Sequence, residues 1–142
     1  MATIQSSLRY HLVNTAAIST LISTRAYAVG EVPESVGTSD YIAWQIVTDA
    51  LQKHQGGSAG LRELLLRLHC ISTTERGASV LADAVRDSLT AQGRGAFGDP
   101  ATPTTVRAMY EEITTSDYEP PTDASQRGMH STPVDFTVWY LE

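Results

Sequence analysis

Cys70 follows His69 directly, and a thiol beside an imidazole is the raw material of a nucleophile activated by a base. The stretch that carries them alternates, however: Leu64, Leu66, Leu68 and Cys70 fall on one side of a strand, and Glu63, Leu65, Arg67 and His69 on the other. Neighbours on a strand point to opposite faces, so the two groups cannot serve each other. Cys70 reads as a small buried apolar residue and His69 as a surface or subunit-contact residue. Glu111 and Glu112 offer paired carboxylates for acid–base work, but the same divergence makes them a solvated edge or bulge. Gly93-Arg94-Gly95-Ala96-Phe97-Gly98 matches the dinucleotide fingerprint letter by letter. That fingerprint needs a strand before it and a helix N-terminus after it to hold a pyrophosphate, whereas here a helix precedes and Asp99-Pro100 follows. The run therefore reads as a loop. His11, His54, His69 and His130 match no metal-ligand spacing, and a single cysteine rules out an intrachain disulfide or a multi-thiolate zinc site. No catalytic residue, metal or cofactor is expected.

Surfaces are what remain. Between Ala108 and Gln126 the chain holds Glu111, Glu112, Asp117, Glu119 and Asp123 and no Lys or Arg. This is either a solvated loop or a negative surface that faces DNA or a basic partner. In the closing segment Val134, Phe136, Val138 and Tyr140 alternate with Asp135, Thr137, Trp139 and Leu141. Trp139 and Leu141 thus sit on the outward row, where large apolar residues mark contact surfaces. Leu65, outward between Glu63 and Arg67, adds to the same set.

These groups need elements to position them. Ile4, Leu8, Leu12 and Ala16 recur at helical spacing, continued by Ile18, Leu21 and Ile22, and Asn14-Thr15 divides the pattern into two short helices, one of those residues capping the second. Arg25 to Val29 reads as a short strand, and the Gly- and Pro-containing segment 30–40 as a mobile surface loop. Tyr41 to Val47 is β-branched and aromatic with Ile42, Trp44 and Ile46 on one side, and Ala50 to Gln55 leads into Gly56–Gly60, which reads as a flexible hairpin connection to the next strand. Ser72-Thr73-Thr74-Glu75 has the form of a capping box, with Ala78, Leu81, Val85 and Leu89 behind it at spacings of three or four and Gly93 as the stop. Asp83, Arg86 and Asp87 fall on its wet face. Segment 93–103 reads as a loop, 105–119 as one long strand or a strand pair, 120–128 as a turn-rich break, and Pro133 to Glu142 as a last strand that ends at the terminus. The expectation is an α+β fold with a mostly antiparallel sheet, spanning residues 1–142 as a single domain.

The composition agrees. At 142 residues with 42% hydrophobic and 18% charged residues, the chain has the balance of a globular protein with one core. Apolar runs such as Leu64-Leu65-Leu66 are far shorter than the about 20 residues of a membrane span. The polar N-terminal stretch lacks the continuous apolar region of a signal peptide, which predicts a chain made in a cytoplasm. Ten Lys+Arg against sixteen Asp+Glu give a net charge of −6, which argues against gripping nucleic acid through its phosphates but suits a conduit through which DNA slides.

In this order of elements the chain resembles the tail-completion family of long-tailed bacteriophages, tail-to-head joining proteins related in fold to tail terminators. The resemblance rests on the N-terminal helix followed by Thr24-Arg25-Ala26-Tyr27, the proline-containing loop before Tyr41-Ile42-Ala43-Trp44, and the strand Leu64 to Cys70. The helix Ala78 to Leu89, with its Leu81-Ala82-Asp83-Ala84-Val85-Arg86 core, and the ending Asp135-Phe136-Thr137-Val138-Trp139-Tyr140 complete it. It covers nearly the whole chain. It implies a virion protein assembled in the bacterial host cytoplasm, a subunit of a ring of six that sits on the completed tail-tube protein and docks to the head connector or neck protein. Genomic DNA would be a passing neighbour, with no membrane, enzymatic activity or cofactor involved. Another phage neck or minor capsid component fits the same residues, and a small cytoplasmic enzyme would have to combine the acidic segment with His130.

Overall fold

Alternation of apolar and polar residues builds the centre of the molecule. The computed structural model describes residues 3–33, 39–54, 57–112, 117–119 and 129–141. Strand β2 (Tyr41–His54) and strand β3 (Gly57–Ser72) form a long antiparallel hairpin, and β7 (Met129–Leu141) pairs antiparallel with the far side of β3. β5 (Thr104–Glu111) and the short β6 (Asp117–Glu119) share the next edge of β7 end to end, so the long strand or strand pair expected there is a pair. Two three-residue strands finish the sheet: β1 (Ala26–Ala28), parallel to β2, and β4 (Gly95–Phe97), antiparallel to β5. The order is β1-β2-β3-β7-β5-β4, with β6 beside β7. The fold is α+β with a mostly antiparallel sheet, as expected.

All three described helices cover one face. α1 (Ile4–Asn14) and α2 (Ala16–Ile22) are separated at Thr15, and α3 (Glu75–Gln92) runs beneath β3, β7 and β5. Leu8, Leu12, Ile18, Ile22, Leu81, Val85 and Leu89 meet Ile42, Trp44, Leu64, Leu66, Leu68, Cys70, Val134, Phe136 and Val138 in one buried cluster. Each strand contributes every second residue, which is the physical meaning of the alternation. The end of α3 at Gly93, φ +54°, is the expected glycine stop.

Several boundaries differ from the sequence expectation. The N-cap of α3 is Thr74, whose hydroxyl accepts from the Gly77 N–H at 2.9 Å. Ser72 is instead the last, buried residue of β3, and its hydroxyl accepts from Thr74 N–H at 3.4 Å. A capping box forms at α1, where Thr3 and Ser6 exchange hydrogen bonds. Thr15 stands at the N-cap of α2 but its hydroxyl turns back to the His11 carbonyl at 2.7 Å. The segment read as a hairpin connection is mostly strand, since pairing reaches His54 and Gly57; ladder hydrogen bonds reward extension through polar residues as well as apolar ones. The loop after α3 contains β4. Much of the loop expected at 30–40 and the whole of the break at 120–128 lie outside the described residues.

A bare sheet face as the candidate interface

The face of the sheet that no described helix covers carries the outward rows of β3, β7 and β5. Arg67 of β3 forks onto Asp135 of β7, with Nε and Nη2 donating to the two carboxylate oxygens at 2.9 and 3.1 Å. The hydrogen bond and the charge of Asp135 raise the Arg67 pKa. One row further, the Thr137 hydroxyl donates to Glu112 at 2.7 Å and Trp139 Nε1 donates to the Tyr110 hydroxyl at 3.3 Å. Leu65 lies between Thr48 of β2 and Thr137 of β7 in the ladder. The three expected contact residues, Leu65, Trp139 and Leu141, are therefore on or beside this face and are half-buried by their cross-strand neighbours. Tyr110, 49% exposed, joins them. It escaped the sequence reading because a bulge between Val106 and Ala108 reverses which residues of β5 face outward, and a bulge leaves no signature in periodicity.

His69 occupies the same outward row. Burial lowers its pKa, the neighbouring Arg67 lowers it further, and Asp135 partly opposes this. Cys70 points the other way, fully buried, its thiol pushed up to about 12 by burial. A thiol held protonated on the opposite face from the imidazole is no nucleophile.

The expected acidic surface is split by the geometry. Glu111 turns to the helix side and pairs with Arg86, which also holds Asp83, whereas Glu112 lies against Thr137 on the bare face. In β6, Asp117 and Glu119 stand in register with Ser131 and Met129, and Asp123 lies outside the described residues. His130, the histidine an enzymatic reading would need, stands in register with Tyr118 of β6, between Asp117 and Glu119, and lies six positions along β7 from Phe136, the partner of Glu111, or about 20 Å at strand rise. The geometry thus brings it to the β6 end of the acidic row and not to Glu111.

The glycine motif has a packing role. Gly98 has φ +96°, and a Cβ there would come within 2.6 Å of Ser7 Cβ, so α1 presses onto the end of β4 where only glycine fits. Phe97 beside it is buried against the His11 ring, centroids 5.0 Å apart. A cleft of about 550 Å³ opens between the start of α1, Asp49, Arg62, Thr104 and Tyr140. Asp49 is engaged there at both oxygens, by Arg62 at 3.3 Å and by the Tyr140 hydroxyl at 2.9 Å. Among the described residues no group of His, Cys, Asp and Glu could hold a metal ion, and no described helix is long and apolar enough to cross a membrane.

A family model for tail completion protein gp17 matches residues 6–138. No curated protein matches the chain. Among solved structures, a chain from one titled "Virion of native gene transfer agent (GTA) particle" has the same fold, with a TM-score of 0.67 over 98% of this chain and 95% of that one, at 15% identity. With the family match running nearly end to end, the chain belongs to the tail completion protein gp17 family and is a structural protein of a virion tail.

Proposed function

We propose that the chain works as one domain and as a subunit of a ring of six that caps the completed tail tube and joins it to the head connector. It is assembled in the host cytoplasm and acts through surfaces, without a reaction or a cofactor. The observation that carries the reading is the bare sheet face, where Leu65, Tyr110 and Trp139 lie among satisfied polar pairs. Aromatic anchors surrounded by satisfied hydrogen bonds are what a protein contact uses. The bare face meets the tail-tube or neck protein in this arrangement. Genomic DNA passes without being gripped, in keeping with the net charge of −6. Glu111 and Glu112 face opposite sides, so a lumen lined by one is not lined by the other.

Electron microscopy of tails made with and without the protein tests the reading. Tails lacking it are expected to show no terminal ring and to remain unjoined to heads. Joined particles formed in its absence would overturn the proposal. Purified rings are expected to bind no duplex DNA at about 0.15 M salt, whereas tight, steeply salt-dependent binding would replace the passive conduit with a basic sleeve.

A further inference from the structure

Two stretches of sheet edge have no neighbouring strand among the described residues, and their positions fit one another. β1 pairs only with Ile42, Ala43 and Trp44, so from Gln45 to His54 β2 has β3 on one side alone. At the other end of the sheet β4 pairs only with Thr104, Thr105 and Val106, so from Arg107 to Tyr110 β5 has β7 on one side alone. A bulge follows each short partner, at Val47, which is 40% exposed, and at Arg107. Within its open stretch β2 carries no charged side chain from Gln45 to Thr48, and Asp49 and Lys53 follow.

We infer that the open edge of β2 in one copy pairs antiparallel with the open edge of β5 in the next. The inference rests on the ring reading above and says how its copies join. β2, β3, β7 and β5 are each antiparallel to the next, so β5 runs opposite to β2. Copies related by rotation about an axis along the strands therefore meet antiparallel. The contact joins two different patches, which is the head-to-tail type that closes into rings.

The short strands restrict the register. One row across the sheet holds Ala50, Glu63, Trp139 and Ala108, and another holds Thr48, Leu65, Thr137 and Tyr110. If copies met row to row, β4 of one would fall on β2 of the other, because Val106, Tyr140, Arg62 and Leu51 share the row where β4 begins. A slide of about four residues, or about 13 Å, along the strands lifts β4 past the end of β2 and leaves β1 clear. It places Gln52–His54 of one copy beside Ala108–Tyr110 of the next. A stagger of this kind is what closing a sheet into a ring requires. β4 cannot take the part of β5: it is three residues long, and its Ala96 carbonyl already accepts from the Gln92 side chain at 2.8 Å.

Cross-linking of assembled full-length protein tests this. Ala50→Cys and Tyr110→Cys lie on the bare face within one or two residues of the inferred contact, and the buried Cys70 stays unreactive. With a short flexible bismaleimide, the double variant is expected to give a ladder of linked copies on a denaturing gel. Each single variant, and Ala50→Cys combined with Val80→Cys on the exposed side of α3, is expected to give none. Rings seen by microscopy that yield no ladder overturn the edge contact and leave the ring standing. Linked dimers from Ala50→Cys alone overturn it in favour of a two-fold β2–β2 contact. A wild-type chain that forms no ring on tails overturns the ring reading, and this inference with it.

Discussion

The two faces of the sheet are made by the same strands and have opposite fates. On β3, Leu64, Leu66, Leu68 and Cys70 are no more than 3% exposed beneath the helices, while Glu63, Leu65, Arg67 and His69 alternate with them and stay half-covered by cross-strand neighbours alone. Stability is concentrated on the first face. The second satisfies its own polar groups through Arg67–Asp135, Thr137–Glu112 and Trp139–Tyr110, and can therefore meet a partner without stranding a donor or acceptor. Substitutions that hit the covered face should unfold the chain, and those on the bare face should spare the fold and cost assembly.

The largest effect is expected from Leu81→Ala. Leu81 is fully buried in α3 within the shared cluster, and deleting such a side chain costs about 2–5 kcal/mol. Urea unfolding measures it directly. A loss below about 1 kcal/mol is the size seen for surface positions and would erase the contrast between the faces.

Gly98→Ala comes next. The substitution combines a positive φ with a Cβ placed 2.6 Å from Ser7 Cβ, and a non-glycine residue in such a backbone region costs about 1–3 kcal/mol. The expected outcome is a lower unfolding midpoint with α1 loosened, seen as faster amide exchange in Ile4–Asn14. An unchanged midpoint would mean that the approach of α1 to β4 is slack.

Trp139→Ser sharpens the comparison from the other side. Trp139 is half-buried and its one described polar contact is the 3.3 Å bond to exposed Tyr110, so the change in folding stability should stay within about 1 kcal/mol. Binding to purified tails should fall at least about tenfold if the indole is an anchor. A chain that unfolds would assign Trp139 to the core, and one that binds tails normally would remove it from the interface.

The covered face was readable in the sequence because burial leaves a period. Ile42, Trp44, the β3 leucines, the α3 apolar row and the β7 row were all visible as spacing, and each is where the spacing put it. The bare face was readable only in part. Trp139 and Leu65 stood out as apolar residues on a polar row, but Tyr110 was hidden by the bulge in β5, and Val29 and Val47, 52% and 40% exposed, lie just past the end of β1 and at the bulge in β2. Caps were misplaced for a related reason: Ser72 and Thr74 are chemically alike, and only the end of β3 decides which one starts the helix. The divergence of Glu111 and Glu112 followed from strand alternation, but the Arg86 partner of Glu111 depended on the tertiary fold.

The smallest effect expected is a pH dependence that separates the faces by their histidines. His11 of α1 packs against Phe97 and contacts Ser88 through Nε2 at 3.2 Å. The Ser88 hydroxyl already donates to the Val85 carbonyl at 3.0 Å, so His11 Nε2–H is the donor and the neutral ring suffices. Burial lowers the His11 pKa in the folded chain below the ordinary histidine value of 6.5. The unfolded chain then binds the proton more readily, so this contribution is complete above about pH 6.5 and is lost progressively as pH falls through that value toward the folded pKa. His69 is shifted the same way on the bare face. Melting temperatures measured between about pH 7.5 and 5, above the range where carboxylates titrate, should fall with acidification in the wild type and less steeply in His11→Gln. Equal slopes in the two would move the acid sensitivity off the covered face, and His69→Gln would then be the variant that flattens it.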